Sequence, residues 1–433
     1  MTVHVIGGGL AGLAAAVELA RTGVPAVVYE ATPRPGGRCR AFHEPALDRV
    51  IDNGNHLVLS GNRNVRRYLD LIGARDRLAA PARPGFRFVD LERGQEFTVR
   101  PNRGRLPWWV LLARRRVPGT RPRDYLALRR LSKAGPEDTV AGMVPPGELY
   151  RCLIEPLAVS ALNTPADEAS ARGLWAVVEQ TLAKGGAQTI PLIARTDLAD
   201  TFINPALDFL HRHRVTVRTG MRVKALEFEE GRIIALELDQ GTLPLAPDDQ
   251  VILAVPPAIA ARLVPGLTPP ETDEPIVNGH FAIPFREEPH DIAGIVGGTA
   301  HWVFRRPGIA STTVSAARGL VDAPAEELAS LLWADVVKAF PDLAGPLPAY
   351  RIIKEKRATI RQSPADEARR PGCPTPYPNL WLAGDWTATG LPATIEGSLL
   401  SGFRAADHVR AAGASPGTAR KGKVKPASRG RAA

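Results

Sequence analysis

Val3-His4-Val5-Ile6-Gly7-Gly8-Gly9-Leu10-Ala11-Gly12-Leu13-Ala14 decides the fold. Val3 to Ile6 reads as a buried strand, and the Ala- and Leu-rich run Leu10 to Arg21 as a helix. Ala26 to Tyr29 reads as a second strand, which completes a βαβ opening. The glycines fit G-x-G-x-x-G at the strand-to-helix turn. Gly7 permits the tight turn, Gly9 lets main chain approach a pyrophosphate, and Gly12 allows the helix to pack closely on the strand. The helix start at Leu10 and Ala11 offers free N–H groups and the positive end of a dipole to phosphates. Glu30 ends the second strand, where a carboxylate holds ribose hydroxyls. The glycines alone could be a turn without a ligand; with strand, helix and acid in place they predict dinucleotide binding.

Beyond this unit the chain changes in kind. From about 81 to 200 it is rich in Pro and Arg, carries the apolar run Trp108-Trp109-Val110-Leu111-Leu112, and shows several helical patterns. Strands are expected at Val215–Arg218, Val223–Phe228, Ile233–Leu238 and Val251–Leu253, broken by Gly220, Gly231 and Gly241. After a mixed segment to about 355, Leu380–Leu382 leads through a Gly-rich turn into a helix over Thr394–Val409. The first and last segments are alike, so they should build one domain with the middle inserted. The expected class is α/β: a Rossmann-like cofactor domain (1–80, 200–265 and 355–412) with an inserted α+β substrate domain (81–199 and 266–354).

Three further motifs narrow the cofactor. Arg34-Pro35-Gly36-Gly37-Arg38 follows the second strand directly; its glycines let main chain pass close to a ligand, and Arg38 can neutralise a phosphate. Leu382-Ala383-Gly384-Asp385-Trp386 ends the last strand, and Glu396-Gly397 opens the last helix. Met221-Arg222-Val223 and Val251-Ile252-Leu253-Ala254-Val255-Pro256-Pro257 lie between. Together these resemble the amine oxidase and phytoene desaturase superfamily of flavoproteins, over residues 1 to about 410. The resemblance implies one FAD. Gly36, Gly37, Arg38, Gly384 and Asp385 would meet its pyrophosphate and ribityl, and Val223 its adenine. The helix start at Ile395 would face the flavin pyrimidine, where a helix N-terminus stabilises negative charge. No attachment pattern surrounds Cys39 or Cys373, so the FAD should be non-covalent.

Asp52-Asn53-Gly54-Asn55-His56-Leu57, His301-Trp302-Val303-Phe304 and the string from Ala383 to Gly397 are similar to the hydroxysqualene dehydroxylase family of bacterial squalene and hopanoid biosynthesis. Asn55 departs from the Gln that many relatives carry. This resemblance implies a reduction in which a C30 allylic alcohol loses its hydroxyl as water and carbon accepts hydride from reduced FAD. The protein must then supply a dry slot, alignment and a proton. His56 and Asp52 are the candidates for that proton or for orienting it, Asn53 and Gly54 for lining the flavin. The alternative is that Asp52 and Asn53 merely hold their loop by side-chain to main-chain bonds. A carotenoid-type desaturase shares the fold and runs oxidatively. An amine oxidase would place Tyr where Thr394 stands, and a flavin-free lipid carrier would have no use for Glu30, Arg38 and Asp385.

The bulk numbers bound the rest. The 433 residues carry a net charge of +10, and six basic residues without an acid fall in the last stretch, 411–433. That tail, from 413, is expected to be disordered. Another basic cluster runs from Arg114 to Lys133. Beside Trp108 and Trp109 it points to peripheral contact with an anionic membrane rather than to specific nucleic-acid binding, the alternative being a buried helix with a basic cap. No apolar run is long enough to span a bilayer, and no signal peptide is read at the N-terminus. The three cysteines form neither a disulfide framework nor a metal site, so the expected compartment is the cytoplasm, at the inner face of the membrane. The partner expected is a hydrophobic terpenoid.

Overall fold

The computed structural model describes residues 1–81, 85–287 and 290–413. Three distant segments meet in one five-stranded sheet, in the order Thr216–Arg218, Ala26–Tyr29, Val3–Ile6, Gln250–Leu253, Leu380–Leu382. Every pair in it is parallel. Parallel sheets are covered on both faces, which is why the inner strands Val3–Ile6, Ala26–Tyr29 and Gln250–Leu253 read mainly as apolar runs, while the edge strand Thr216–Arg218 stays partly exposed.

The helix Leu10–Arg21 lies against this sheet and is buried on all sides except at Arg21. It stops at Thr22-Gly23, where Gly23 takes φ +74°. Its outer side packs on the last helix, Ile395–Gly413. The contact is close: a Cβ on Gly402 would stand 2.1 Å from the Ala11 carbonyl oxygen and 2.9 Å from the Ala14 Cβ. Any larger residue at 402 would push these helices apart. The cost would exceed a simple overpacking penalty of about 1–3 kcal/mol, because backbone is what it meets.

The inserted part is organised by a seven-stranded sheet. Its order is Tyr350–Ile360, Asp273–Ala282, Ile309–Val314, Trp302–Arg306, Asp291–Val296, Phe86–Asp90, Gln95–Val99. All pairs are antiparallel except Asp291–Val296 with Phe86–Asp90. Helix Ala325–Ala339 covers part of one face through Leu328, Leu332 and Val336. A second cluster packs Phe88, Phe97, Trp302 and Phe304 against helices Glu155–Leu162 and Ala171–Gln180.

Some details differ from expectation. The stretch after 81, expected to show several helical patterns, first forms the hairpin Phe86–Asp90 and Gln95–Val99, signalled by the alternation of Phe86, Phe88 and then Phe97, Val99. The strand Tyr350–Ile360 runs unbroken past residue 355. Trp108–Leu111 is a short 3₁₀ turn. Residues 414–433 of the basic tail lie outside the described residues, and Gly413 closes the last helix. Among the described residues no helix is long and apolar enough to cross a membrane.

Candidate active site

The first turn after Val3–Ile6 is held in shape by its own carbonyls. The Gly36 N–H donates to the Gly8 carbonyl at 2.8 Å, and Gly9 and Gly36 form an isolated parallel bridge. Gly36 (φ +123°) and Gly37 (φ +56°) lie where L side chains are strained, so this crossing requires glycine. A Cβ on Gly12 would stand 1.9 Å from the Gly7 carbonyl oxygen. Gly9 is different: nothing lies within 4 Å of a Cβ there. The helix behind it has no side-chain cap and no acid in its first turn. Its leading N–H groups therefore face an open cradle that suits an anion.

Around this cradle stand the charged groups. Glu30 is buried, and its carboxylate accepts from Gly8 N–H (2.8 Å), Thr32 N–H (2.8 Å) and the Thr32 hydroxyl (2.7 Å). Met221 N–H donates to the Glu30 carbonyl at 2.8 Å, which lays the segment leading into Val223 beside it. Arg38 spans to the far end of the chain, donating from Nη1 to the Ala358 carbonyl (2.6 Å) and from Nη2 to Asp385 Oδ1 (2.7 Å). Asp385 beside it reinforces the Arg38 positive charge. Gly384 N–H is fixed by the Ser401 hydroxyl at 2.8 Å. The cradle, the carboxylate at the strand end and the Arg38–Asp385 pair fit a dinucleotide with its pyrophosphate between the two chain ends.

Residues not singled out in the sequence hold this arrangement. Arg370, whose side chain is 1% exposed, donates to the carbonyls of Asp385 (2.7 Å), Thr387 (2.7 Å) and Leu391 (2.8 Å) and pairs with Glu367. It thereby shapes the whole turn from 385 to 391. Gln362 accepts from Ala393 N–H (2.7 Å) and donates to the Leu162 carbonyl (2.6 Å). Glu396 takes Asn64 N–H and Nδ2 and Val65 N–H at 3.0, 2.7 and 2.9 Å. It caps helix Arg63–Ile72, which has no side-chain cap of its own. Arg370 stood among neighbouring charges in Arg369-Arg370-Pro371-Gly372, and no spacing rule marks it.

The second wall is the segment Asp52–His56. Asp52 is buried, and both its oxygens are engaged: Oδ1 by Leu198 N–H at 2.7 Å, Oδ2 by Arg306 at 3.2 Å. Burial pushes its carboxyl up to about 6, against the opposing pull of Arg306. Asn53 Nδ2 donates to Glu355 at 3.2 Å. Asn55 Nδ2 donates to the Thr312 carbonyl (3.1 Å) and the Thr313 hydroxyl (3.2 Å), and Thr313 in turn bonds Asn278 at 2.9 Å. A Cβ on Gly54 would stand 3.2 Å from Asn278 Nδ2. The segment is thus stitched onto the seven-stranded sheet.

His56 makes no hydrogen bond to any described residue and is half-buried. Burial first, and then the charge of Arg38, lower it to about 4, so the ring is neutral. Cys39 is buried, and its thiol is pushed up to about 12 by that burial. His301, part of the string singled out in the sequence, accepts from Ser315 N–H at 3.0 Å. Trp302 and Phe304 belong to packed core, with Phe88 and Trp302 centroids 5.7 Å apart. Among the described residues no cluster of His, Cys, Asp or Glu could hold a metal.

Known proteins resemble this chain throughout its length. The family model described as flavin containing amine oxidoreductase matches residues 10–285 and 296–410. The chain is 46% identical over 408 residues to a hydroxysqualene dehydroxylase of Sinorhizobium fredii, covering 94% of this chain and 97% of the relative. A hydroxysqualene dehydroxylase of Zymomonas mobilis is 42% identical over 408 residues, covering 93% and 98%. Among solved structures, an oxidoreductase from Methanosarcina mazei superposes with a TM-score of 0.69 at 16% identity, over 94% of this chain and all of that one. This last likeness is one of fold.

Proposed function

Because this chain belongs to the flavin-containing amine oxidoreductases, and within them to the hydroxysqualene dehydroxylases, we propose that it uses FAD to convert hydroxysqualene to squalene. The observation that carries this is similarity of 42–46% to proteins of that name over more than nine-tenths of both chains. In balance, the allylic C–O bond breaks, the oxygen leaves as water with an added proton, and a hydride takes its place on carbon. When bound, reduced FAD supplies that hydride and is left oxidised.

The residues divide the remaining work. Gly9, Leu10, Ala11 and Gly12 would hold the pyrophosphate on the first helix, and Glu30 would take ribose hydroxyls beside the segment ending at Val223. Gly36 and Gly37 give the close passage, and Arg38 with Asp385 and Gly384 fixes the far side. The start of the last helix at Ile395 would turn its free N–H groups to an anionic ring, while Glu396 of that first turn is engaged by Asn64 and Val65. The FAD would be held without a covalent bond: Cys39 and Cys152 are buried, and burial pushes the thiols of Cys39 and of the partly buried Cys373 up to about 12.

Asp52 reads as a positioning residue because both oxygens are committed. Asn53 and Gly54 seat the loop against Glu355 and Asn278. His56, unpartnered, is left to hydrogen-bond the departing hydroxyl and bring it the proton. Arg38 helps to keep His56 neutral, so an anion that neutralises Arg38 raises the basicity of the ring and makes it a better proton carrier. A water-insoluble substrate also goes with peripheral contact at an anionic membrane face, and in this reading the substrate would lie against the seven-stranded sheet.

The test is a single turnover without oxygen. Reduced protein mixed with hydroxysqualene should yield squalene and regain the oxidised flavin spectrum. If reduced protein leaves hydroxysqualene untouched while oxidised protein desaturates a terpenoid, the desaturase reading replaces this one.

A further inference from the structure

We infer that the face formed by residues 100–130 docks on an anionic phospholipid bilayer, and that the cleft between Arg100, Arg114 and Arg115 takes a lipid phosphate. The inference deepens the reading above, since it presumes a substrate drawn from a membrane.

The apolar part is exposed by construction. Leu106 is 80% exposed, Trp108 49%, Leu111 65%, Leu112 37% and Leu126 58%. These are five of the eleven large apolar side chains so exposed among the described residues, gathered within 21 positions. Fraying does not explain them, because the turns that present them are anchored from below. Trp109 is buried edge-on to Tyr125, with ring centroids 5.1 Å apart. Asn102 accepts from Trp109 N–H at 3.3 Å and donates to the Gly104 and Leu106 carbonyls at 3.0 and 2.9 Å. Arg116 donates to the Val110 and Thr120 carbonyls, both at 3.0 Å. A patch of this kind held rigidly in water marks an interaction site.

Charge identifies the occupant. Residues 100–133 carry ten Arg and one Lys against one acid, Asp124. That acid is used on Arg121 N–H at 2.7 Å. The side chains of Arg100, Arg103, Arg105 and Arg114 make no ion pair or hydrogen bond with any described residue. Arg100 and Arg114 line, with Glu96, Phe97, Thr98 and Arg115, an open cleft of about 470 Å³. Glu96 on its wall is countered by Arg87 at 2.9 Å. The Arg100 N–H donates to the Arg115 carbonyl at 2.9 Å, which ties the two sides of the cleft together. The Arg115 guanidinium lies 5.0 Å over the Trp108 ring, so the cleft opens beside the apolar tip. Tryptophan at the headgroup level, leucines beyond it and unpaired arginines around it match the layers of an anionic leaflet. An acidic protein would answer the charge but would leave Leu106 and Leu111 without a depth to enter.

The experiment uses the full-length, FAD-loaded chain and flotation with phosphatidylcholine vesicles, with and without phosphatidylglycerol. Wild type should float with the anionic vesicles and stay behind with the neutral ones. Each arginine is worth about fivefold in partitioning, so Arg100→Ser with Arg114→Ser should bind roughly 25-fold more weakly. Leu106→Ser with Leu111→Ser should also lose flotation, at unchanged charge. Brominated lipid should quench tryptophan emission in wild type and fail to do so in Trp108→Phe. All these side chains are exposed, and retained flavin with an unchanged melting curve verifies folding. Should the serine pair at the arginines unfold the turn, Arg114→Glu gives the same readout. Equal flotation of wild type and both double variants, equal binding to neutral vesicles, or binding to none would overturn the proposal. Turnover of detergent-dispersed hydroxysqualene, which needs no bilayer, separates the two readings. An inactive protein that floats as expected counts against the dehydroxylase, and an active one whose variants float unchanged counts against this surface.

Discussion

Two glycines of the first loop, three residues apart, should fail in opposite ways when substituted. Gly12→Ala adds one methyl inside a helix, where alanine is preferred by about 1 kcal/mol on propensity alone. The structure reverses that sign. The new Cβ would stand 1.9 Å from the Gly7 carbonyl oxygen and 3.3 Å from Val5 Cγ1. Backbone must move by more than an ångström to relieve it, and overpacking costs about 1–3 kcal/mol even where only side chains give way. A net loss near 2 kcal/mol lowers the melting temperature of the flavin-free protein, a chain of 433 residues, by roughly 2 °C. Gly9→Val should leave that melting temperature alone. Gly9 has φ −76°, ψ −178°, open to any residue, and its Cβ direction meets no protein atom within 4 Å. The valine instead fills the cradle. Two hydrogen bonds to a charged phosphate are worth about 3–6 kcal/mol together, so FAD affinity should fall by roughly 10²–10⁴-fold. Calorimetric melting of stripped protein and titration with FAD read the two effects separately. The reasoning is refuted if Gly9→Val binds FAD like wild type, or if Gly12→Ala melts at or above the wild-type temperature.

Three other outcomes follow from the same geometry. His56→Phe should purify with flavin yet slow single-turnover dehydroxylation by roughly 10²–10⁴-fold if the ring delivers the proton; a rate within twofold of wild type would remove His56 from the chemistry. Arg370→Lys cannot keep donations to three carbonyls and Glu367, and should cost about 3 kcal/mol, read as a lower denaturant midpoint with weaker FAD retention. The pH dependence carries opposing contributions: buried histidines held neutral, with His56 and His301 lowered to about 4 beside His280, against Asp52. His280, fully buried, is lowered from 6.5 to about 3, chiefly by burial. The unfolded chain therefore binds a proton there that the folded chain refuses, and stability falls as pH drops through 6.5 toward 3. Asp52 is raised from 3.8 to about 6, so its contribution is full below 3.8 and lost as pH rises through 6. Denaturant midpoints at pH 7 and pH 5 should differ less in His280→Gln than in wild type, and a difference as large as wild type's would show that His280 is not the group.

The cofactor end of the molecule was legible because the chemistry there is done by backbone. A turn that must bring main chain to a phosphate needs glycine at fixed positions, and Gly7, Gly9, Gly12, Gly36 and Gly37 are visible as letters. The inner parallel strands were legible for a related reason, since burial on both faces fills Val3–Ile6, Ala26–Tyr29 and Gln250–Leu253 mainly with apolar residues. What could not be read is whatever depends on distant pairing. For Asp52 the sequence left open a proton or orienting role and a bond to main chain, and only the fold brings Leu198 N–H and Arg306 to its two oxygens. Arg370 carries no mark in the sequence, and only the fold wraps the turn from 385 to 391 around it. Trp108 and Trp109 read alike in sequence, yet one is buried against Tyr125 and the other 49% exposed. A 3₁₀ turn sends successive side chains to different sides, so adjacency in the chain carried no information about burial there.

The cross-links between the two large sheets bear on how the cofactor acts on the protein. Arg38 reaches from the glycine pair after the second strand to Ala358 on the seven-stranded sheet and to Asp385 beyond the last parallel strand. Asn53 reaches Glu355 on that same sheet, and Asn55 reaches Thr312 and Thr313. Gln362 ties Ala393, just before the last helix, to Leu162 in the helical cluster. These contacts between the two parts are polar, and they gather around the cradle. A ligand that binds across them stabilises the docked arrangement by its own binding free energy, about 4 kcal/mol at a thousandfold excess over its dissociation constant. It does so without adding to either hydrophobic core. Removal of FAD should therefore loosen the junction before it melts the sheets. Hydrogen exchange should rise first at residues 53–56 and 385–394, while the buried strand Val3–Ile6 remains protected. A uniform rise across both sheets would instead mean that the cofactor and the cores are one cooperative unit.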